Sequence, residues 1–412
     1  MTYHVVKGGV CAPKGFLGGA VSCGIKNAED PRSDLALLYS ELPCVSAGTF
    51  TTNRVKAAPV KVTQAHLRAQ ELRAIVANSG NANACTGVRG VENARIMAKA
   101  VAAPLGLKQR EVGVCSTGVI GLPMPMDRIA PGLDELPNHL GPGGGSAVAK
   151  AIMTSDTTIK EVAIMASVGG RKIRIGACAK GAGMICPSMA TMLCFVTTDA
   201  NVSKTCLQKT VLEAVEGSFN RICIDGDMST NDTVLVLANG AAGGSRIARG
   251  SKACREFRDA LQYVLLKLAQ ACVKDGERVS KFVTLEVQGA STYLDAKKVA
   301  EAIAKSTLVK SSWNGGDPNW GRIIHAIGYS RARIREELID IAYEGKAACE
   351  GGLMAKTAHK VLREIAARDS FLITVNLHLG KAEYTIYTSD ISPEYIDFNR
   401  SEYSYWKNAG LG

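Results

Sequence analysis

The chain has 412 residues, of which 46% are hydrophobic and 21% are charged, an ordinary composition for a globular protein of roughly two to three domains. The net charge of +11 is spread over isolated residues and short pairs, without a zinc-finger, RNP-type or helix-turn-helix pattern. This excludes nucleic acid as an expected partner and favours a positive field around a site for small carboxylates. No stretch of about eighteen apolar residues and no targeting signal is found, so we expect a cytoplasmic protein with no membrane partner.

The 13 cysteines are scattered from Cys11 to Cys349 without any Cys-x-x-Cys pair. Metal sites usually cluster such ligands, and disulfide-rich secreted domains are short and evenly paired. The pattern therefore predicts small buried thiols in a reducing compartment and no metal site.

Helical and strand patterns are intermixed along the chain. The spacing of apolar residues predicts helices after Gly90, over 147–153, after a cap at Ser203 and over 251–274. Alternating or apolar runs predict strands over 74–78, 172–178, 191–196, 232–237 and 282–287. The runs 191–196 and 232–237 are continuously apolar, which is typical of strands covered on both faces. The order predicts an α/β protein built of packed layers.

A turn signal interrupts the apolar pattern near the C-terminal end of the chain. The runs 371–379 and 384–387 flank a Gly-Lys-Ala segment that begins at Gly380. Two strand patterns separated by a short Gly-containing turn predict a β-hairpin, with its two strands side by side.

The segment 180–193, KGAGMICPSMATML, joins a Gly- and Pro-containing turn to an apolar strand that opens with Thr191. A threonine hydroxyl needs a base beside it to act as a nucleophile, and neither His nor an acidic residue is near in the sequence. Cleavage before Thr191 would free its α-amine, whose pKa of roughly 7.7–8.0 suits a general base. The small Ala190 leaves room for attack on its carbonyl. On these residues alone, an ordinary strand-forming threonine remains the simpler interpretation.

The same segment resembles the cleavage motif of the ornithine acetyltransferase family, the glutamate N-acetyltransferases of arginine biosynthesis. Further resemblances run along most of the chain in the order of the family. They are GGVCAPKGF (8–16), AGTFTTN (47–53), AAPV (57–60), NSGNANACTG (78–87), STGVIG (116–121), SFNR (218–221), DGDMSTND (225–232) and DPNWGR (317–322).

The resemblance implies a layered α/β/β/α sandwich of the N-terminal-nucleophile-like kind, with a second, smaller α/β domain over about 282–390. It also implies self-cleavage between Ala190 and Thr191. The products would be an α chain of residues 1–190 and a β chain of residues 191–412, assembled as an α2β2 heterotetramer.

The family's site residues can be placed on this sequence. The resemblance assigns the nucleophile to Thr191 and the oxyanion hole to Thr117 and Gly118. It assigns substrate binding to Thr154, Lys180, Thr191, Glu277, Asn399 and Ser404. Lys180 can hold a carboxylate as a point charge, and Glu277 can pair with the ammonium group of an ornithine side chain.

The sequence departs from the family pattern near two of these positions. Cys186 and Ser188 stand where relatives often carry other residues, beside the expected cleavage point. The segment after Asn399 is one residue longer than usual, so Ser404 is the expected hydroxyl only by its approximate spacing.

The resemblance implies a two-stage acetyl transfer, from N-acetylornithine to Thr191 and from Thr191 to glutamate. Because an acyl-threonine ester conserves the reactivity of the acetyl group, exchange needs no metal or coenzyme, although acetyl-CoA remains an alternative acetyl donor. Two other functions stay open. One is an N-terminal-nucleophile amidase or aminopeptidase with water as acceptor, and the other is a catalytically silent binding protein on the same scaffold.

Overall fold

A computed structural model describes residues 2–26, 32–186 and 192–400 of the chain. The strands are β1 (His4–Val5), β2 (Phe16–Val21), β3 (Leu35–Ser40), β4 (Val45–Phe50), β5 (Ala74–Asn81), β6 (Val112–Val119), β7 (Lys160–Val168), β8 (Arg171–Lys180), β9 (Leu193–Thr198), β10 (Ile222–Cys223), β11 (Thr233–Ala238), β12 (Phe282–Ala290), β13 (Asp340–Tyr343), β14 (Lys346–Glu350), β15 (Leu353–Met354), β16 (Ser370–Asn376) and β17 (Ala382–Ser389). The helices are α1 (Ala58–Ala69), α2 (Gly87–Ala102), α3 (Met126–Glu135), α4 (Gly145–Ala151), α5 (Lys204–Glu216), α6 (Lys252–Lys274), α7 (Tyr293–Lys305), α8 (Thr307–Asn314), α9 (Trp320–Gly328), α10 (His359–Ala366) and α11 (Pro393–Arg400).

The described residues form two compact units. The first unit contains residues 2–26, 32–181, 192–220 and 228–272. The second unit contains residues 182–186, 221–227 and 273–400. The first unit thus takes residues from both sides of the predicted cleavage point, which itself lies outside the described residues, and the α and β chain boundaries stay a prediction.

Two sheets and their covering helices build the first unit. One sheet has the strand order β1-β7-β8-β9-β11-β4, and the other has the order β2-β3-β5-β6. An apolar core with side chains from both sheets, among them Ile75 and Phe195, lies between them. A second core packs α2 and α3 on the far side of the smaller sheet, and α5 packs against β4 of the larger one. The predicted α/β/β/α layering is therefore confirmed.

The alternation of side chains along each strand explains why both faces of the smaller sheet are buried. In β5, Ile75 and Ala77 belong to the core between the sheets, whereas Ala74 and Val76 belong to the core beneath the helices. Successive side chains of a strand point to opposite faces, so a continuously apolar strand needs cover on both sides. β9 and β11 are likewise buried throughout, as the sequence predicts.

The second unit is built on one sheet, with the strand order β10-β17-β12-β16-β13-β14-β15. α7 packs against β12 and β17, and the buried indole of Trp313 contacts the ring of Phe371 in the core. The predicted hairpin is wrong, because β12 lies between β16 and β17, parallel to the first and antiparallel to the second. The intervening segment crosses the end of β12, where the N–H groups of Leu379 and Gly380 both donate to the carbonyl of Gly289.

The cysteines follow the sequence expectation in part. Most of the free thiols are buried, although Cys85 is exposed. Contrary to expectation, Cys206 and Cys254 form a disulfide between α5 and α6, where their Cα atoms lie 6.4 Å apart. The cap predicted at Ser203 is confirmed, since its side chain accepts a hydrogen bond from the N–H of Cys206 at the start of α5.

A helix that crosses a membrane needs about 20 mostly apolar residues. Within the described ranges, no helix combines that length with that hydrophobicity.

Candidate active site

Thr117 and Gly118 lie near the end of β6, where its parallel pairing with β5 becomes irregular. Thr117 is buried and Gly118 is exposed. Gly118 has φ +131°, and a Cβ there would overlap the carbonyl carbon of Gly80 and lie 2.5 Å from the N of Asn81. Only glycine fits this backbone. Such irregularities are common next to active sites, where they redirect the chain.

A buried network of amide side chains holds the strand ends in place. Asn231 Nδ2 donates to the carbonyl oxygens of Ala82 and Ser116, both at 2.7 Å. The Ser116 hydroxyl donates to Asn78 Oδ1 at 2.6 Å, and Asn78 Nδ2 donates to the Asn81 carbonyl at 2.9 Å. Because these groups satisfy one another away from water, they fix the backbone beside Thr117.

Lys180, the last residue of β8, is buried beside Thr117. Its side chain donates a hydrogen bond from Nζ to Thr117 Oγ1 at 3.3 Å, and the residue is only 3% exposed. An ammonium group has three donors, and Thr117 is its sole hydrogen-bond partner among the residues that the structure describes. No described carboxylate lies within ion-pairing distance of Lys180. A buried ammonium without an ion pair favours the arrival of an anionic group.

A carboxylate that the sequence reasoning did not single out lies close by. Asp156 Oδ1 accepts hydrogen bonds from Lys160 Nζ at 2.6 Å and from the N–H of Gly181 at 2.7 Å. Asp156 Oδ2 accepts the N–H of Thr154 at 3.0 Å. The structure therefore brings three predicted site residues, Thr117, Thr154 and Lys180, into one connected neighbourhood.

The ionisation of Asp156 leads to a prediction about acid stability. Burial disfavours its charged form, but the charges of Lys180 and Lys160 outweigh this and lower the pKa of Asp156 to about 2. A carboxyl with a lowered pKa stabilises the fold fully above its unfolded pKa of about 3.9, and this contribution is lost as the pH falls towards 2. Between pH 4 and pH 2, we expect the free energy of unfolding of the wild type to fall by roughly 2 kcal/mol more than that of Asp156→Asn.

Urea unfolding at a series of pH values measures this difference. Asp369→Asn serves as the control, because that carboxyl is exposed just before β16. Parallel curves for the wild type and Asp156→Asn between pH 4 and pH 2 would contradict the lowered pKa.

Asp232 anchors the start of β9. It is fully buried, and its Oδ1 accepts the N–H of Met192 at 3.0 Å. Its Oδ2 has no hydrogen-bond partner among the described residues. Burial raises the pKa of the Asp232 carboxyl well above its usual value, against the opposing effects of the Met192 N–H and the Lys180 charge. The Asp232 carboxyl therefore lies beside the residue that follows Thr191 in the sequence.

In the second unit, Glu277 and Asn399 are in contact. Asn399 Nδ2 donates to Glu277 Oε2 at 3.3 Å and to the carbonyl of Tyr395 at 2.9 Å. The Glu277 carboxylate packs on Gly183, where an added Cβ would lie 2.5 Å from the carboxyl carbon. In the described part of the chain, Glu277 forms no ion pair, so its charge is available to a cationic group.

Asp225 fixes the turn that precedes the expected cleavage point. Its carboxylate accepts the N–H of Met184 at 2.5 Å and that of Ile185 at 2.9 Å. Burial raises the pKa of Asp225, although these N–H groups oppose the shift. Cys186 is buried next in the chain, and burial raises the pKa of its thiol too. The structure thus shows an ordered, hydrogen-bonded turn up to Cys186.

Some predicted positions lie outside the described residues. They are Ala190, Thr191 and Ser404, together with Ser188. Within residues 2–26, 32–186 and 192–400, no three His, Cys, Asp or Glu side chains are grouped so that they could hold a metal ion.

Comparisons with known proteins identify the family. A family model described as the ArgJ family matches residues 18–404. The arginine biosynthesis bifunctional protein ArgJ of Symbiobacterium thermophilum is 45% identical, with 96% of this chain and 98% of the relative covered. A glutamate N-acetyltransferase of Methanocaldococcus jannaschii is 42% identical, with coverages of 97% and 100%. The crystal structure of ornithine acetyltransferase complexed with ornithine from Mycobacterium tuberculosis is 42% identical, with a TM-score of 0.42 and coverages of 45% and 99%. The chain therefore belongs to the ArgJ family, and the predictions of the family and of an arginine-biosynthesis acyltransferase are confirmed.

Proposed function

We propose that this enzyme moves an acetyl group from N-acetylornithine to glutamate, through an acetyl ester on Thr191, after cleaving its own chain between Ala190 and Thr191. One observation supports the proposal above all. The buried Lys180 ammonium contacts Thr117 and has donors left for an anionic group. Both N-acetylornithine and glutamate carry an α-carboxylate, so one cation beside the oxyanion hole serves both substrates.

In the first stage, the α-amine of Thr191 takes the proton of its own hydroxyl, and Oγ1 attacks the acetyl carbonyl of N-acetylornithine. The Thr117 hydroxyl and the Gly118 N–H stabilise the oxyanion that develops. As the tetrahedral intermediate collapses, the C–N bond breaks, the proton passes to the leaving amine, and ornithine departs.

In the second stage, the α-amine of glutamate attacks the ester carbonyl, and the Thr191 oxygen leaves and regains its proton. Thr154 and Lys180 orient both substrates, and Asn399 and Ser404 take part in substrate binding. Because the ester conserves the reactivity of the acetyl group, neither ATP nor a metal is needed to drive the exchange.

Charge recognition by Glu277 yields a prediction that separates the two substrates. Only N-acetylornithine carries a side-chain ammonium, so Glu277→Gln should raise the KM for N-acetylornithine by about 10- to 100-fold, the loss of one charge-assisted hydrogen bond. The KM for glutamate should stay unchanged or fall, since its side chain is itself negative. Steady-state kinetics with each substrate varied in turn measures the two KM values separately.

The exposed Glu213 of α5 provides the matched control. Glu213→Gln removes a glutamate charge from the first unit and should change neither KM. Equal increases in both KM values for Glu277→Gln would refute selective recognition of the ammonium group.

Sequential addition tests the reaction itself. The purified enzyme is incubated with N-acetylornithine alone, the mass of the β chain is measured, and glutamate is then added. We expect stoichiometric ornithine release, one acetyl group on the β chain, and conversion of that group to N-acetylglutamate. Free acetate without a glutamate-dependent product would instead identify a hydrolase, and an intact, unreactive chain would identify a silent binding protein.

A second acetyl donor is tested separately. Several curated relatives are named bifunctional, which favours a further arm with acetyl-CoA and glutamate in the absence of N-acetylornithine. Formation of N-acetylglutamate in that arm would make this enzyme bifunctional as well. We further propose an α2β2 heterotetramer of the cleaved chains, which native mass spectrometry measures directly.

A further inference from the structure

A single buried carboxylate connects segments that are far apart in the sequence. Asp156 receives the backbone N–H of Thr154 on one oxygen, and the backbone N–H of Gly181 and the ammonium of Lys160 on the other. The side chains of Asp156 and Lys160 are 0% and 1% exposed. The carboxylate therefore ties the turn after α4 to the end of β8.

Two buried ammonium groups, those of Lys160 and Lys180, act electrostatically on the Asp156 carboxylate. Lys160 forms the direct ion pair with Asp156, and Lys180 adds a second buried positive charge whose attraction also stabilises the ionised carboxylate. The charge of Lys180 thus acts on Asp156, but only Lys160 forms an ion pair with it. The Lys160 ammonium donates to Asp156, whereas the Lys180 ammonium donates to Thr117.

Ion pairing alone does not account for this arrangement. A buried ion pair can often be replaced by apolar side chains without loss of stability. The two backbone N–H groups, however, need an acceptor at this place, because a buried donor without a partner is costly. One of these N–H groups belongs to Thr154, a proposed substrate-binding residue. The other belongs to Gly181, which directly follows the proposed substrate-binding residue Lys180.

We propose that Asp156 is a positioning residue for acetyl transfer, whose carboxylate fixes Thr154 and the end of β8 together and so holds the Lys180 ammonium against Thr117. Lys160 serves as the counter-ion that stabilises Asp156 in the interior. This inference rests on the proposed function, since acetyl transfer is the activity that reports on the position of Lys180.

Three variants separate positioning from charge balance. Asp156→Asn keeps the shape but has only one acceptor oxygen, so Thr154 or Gly181 loses its partner and Lys160 loses its ion pair with Asp156. Lys160→Met removes the ion pair and leaves both backbone hydrogen bonds. The double variant Asp156→Asn/Lys160→Met removes the buried Lys160 charge as well, so it tests whether activity follows charge balance.

We expect Asp156→Asn and the double variant to lose about 10²-fold in kcat/KM, because displacements of about 1 Å near reacting groups have effects of this size. The loss should include higher KM values for both substrates and a lower kcat. Lys160→Met should retain kcat/KM within about threefold of the wild type, because both of the backbone bonds to Asp156 remain. Activities are expressed per cleaved, folded enzyme, and thermal unfolding is measured in parallel.

Recovery of wild-type activity by the double variant would overturn the proposal, since activity would then follow charge balance. Equal losses in Lys160→Met and Asp156→Asn would overturn it too, because the ion pair alone would explain them. If Asp156→Asn does not fold, the double variant still decides. Absence of acetyl transfer in the wild type would instead refute the proposed function, so the two failures are distinguishable.

Discussion

Thr191→Ala is expected to remain a single uncut polypeptide and to lose at least about 10⁴-fold in acetyl transfer, as other enzymes do without their nucleophile. The alanine side chain has no oxygen to attack the carbonyl of Ala190, and none to carry the acetyl group afterwards. A denaturing gel, N-terminal sequencing of the wild-type β chain and a coupled transfer assay measure both losses.

Thr191→Ser is the matched control for this variant. Serine keeps the hydroxyl and the α-amine that cleavage would free, so it should still cut the chain and transfer acetyl groups, more slowly. Two chains in the Thr191→Ala sample would show that another residue, or a protease, makes the cut. An uncut Thr191→Ala protein with normal transfer would show that the nucleophile lies elsewhere.

Thr117→Val is expected to lower kcat by about 10²- to 10³-fold, the usual cost of removing one oxyanion donor. Valine has nearly the shape of threonine, so β6 should keep its packing while the hydroxyl beside Lys180 disappears. An interaction made only in the transition state lowers kcat and kcat/KM together and leaves KM unchanged. Steady-state kinetics on the folded variant checks both numbers.

Thr117→Ser retains the hydroxyl and separates its chemistry from the packing of the methyl group. We expect this control to keep most of the wild-type kcat. If serine proves as slow as valine, packing at Thr117 matters more than hydrogen bonding to the oxyanion. A rise in KM alone for Thr117→Val would place the residue in substrate binding rather than in the oxyanion hole.

Local patterns predicted much of the fold because the apolar pattern within a single strand indicates which of its faces are buried. The apolar runs that became β9 and β11 needed cover on both faces, and the layered first unit supplies it. Strand pairing is not local, however. The turn signal at Gly380 is real, yet the two runs beside it pair with β12, which lies about 90 residues earlier in the chain. The Cys206–Cys254 disulfide depends in the same way on two helices meeting.

The candidate site was predicted through family motifs, and its supporting residues were missed. Lys160 and Asp156 carry no motif and stand in an ordinary polar stretch. A signal did exist in the turn Gly169-Gly170. Counting outward from this two-residue turn along an antiparallel pair places Lys160 opposite Ala179, and hence Asp156 near the end of β8. The charged residues Lys160 and Asp156 could therefore have been placed near Lys180 from that strand register.

The close approach of β6 to β5 at Gly118 limits which amino-acid substitutions this enzyme can accept. A side chain at Gly118 would meet main-chain atoms of Gly80 and Asn81, and main-chain atoms cannot be trimmed by substitution elsewhere. No second mutation at a neighbouring residue can therefore make room for a first one at this position. An altered preference for larger acyl groups would have to evolve through residues whose side chains can become smaller, while this contact between β5 and β6 stays unchanged.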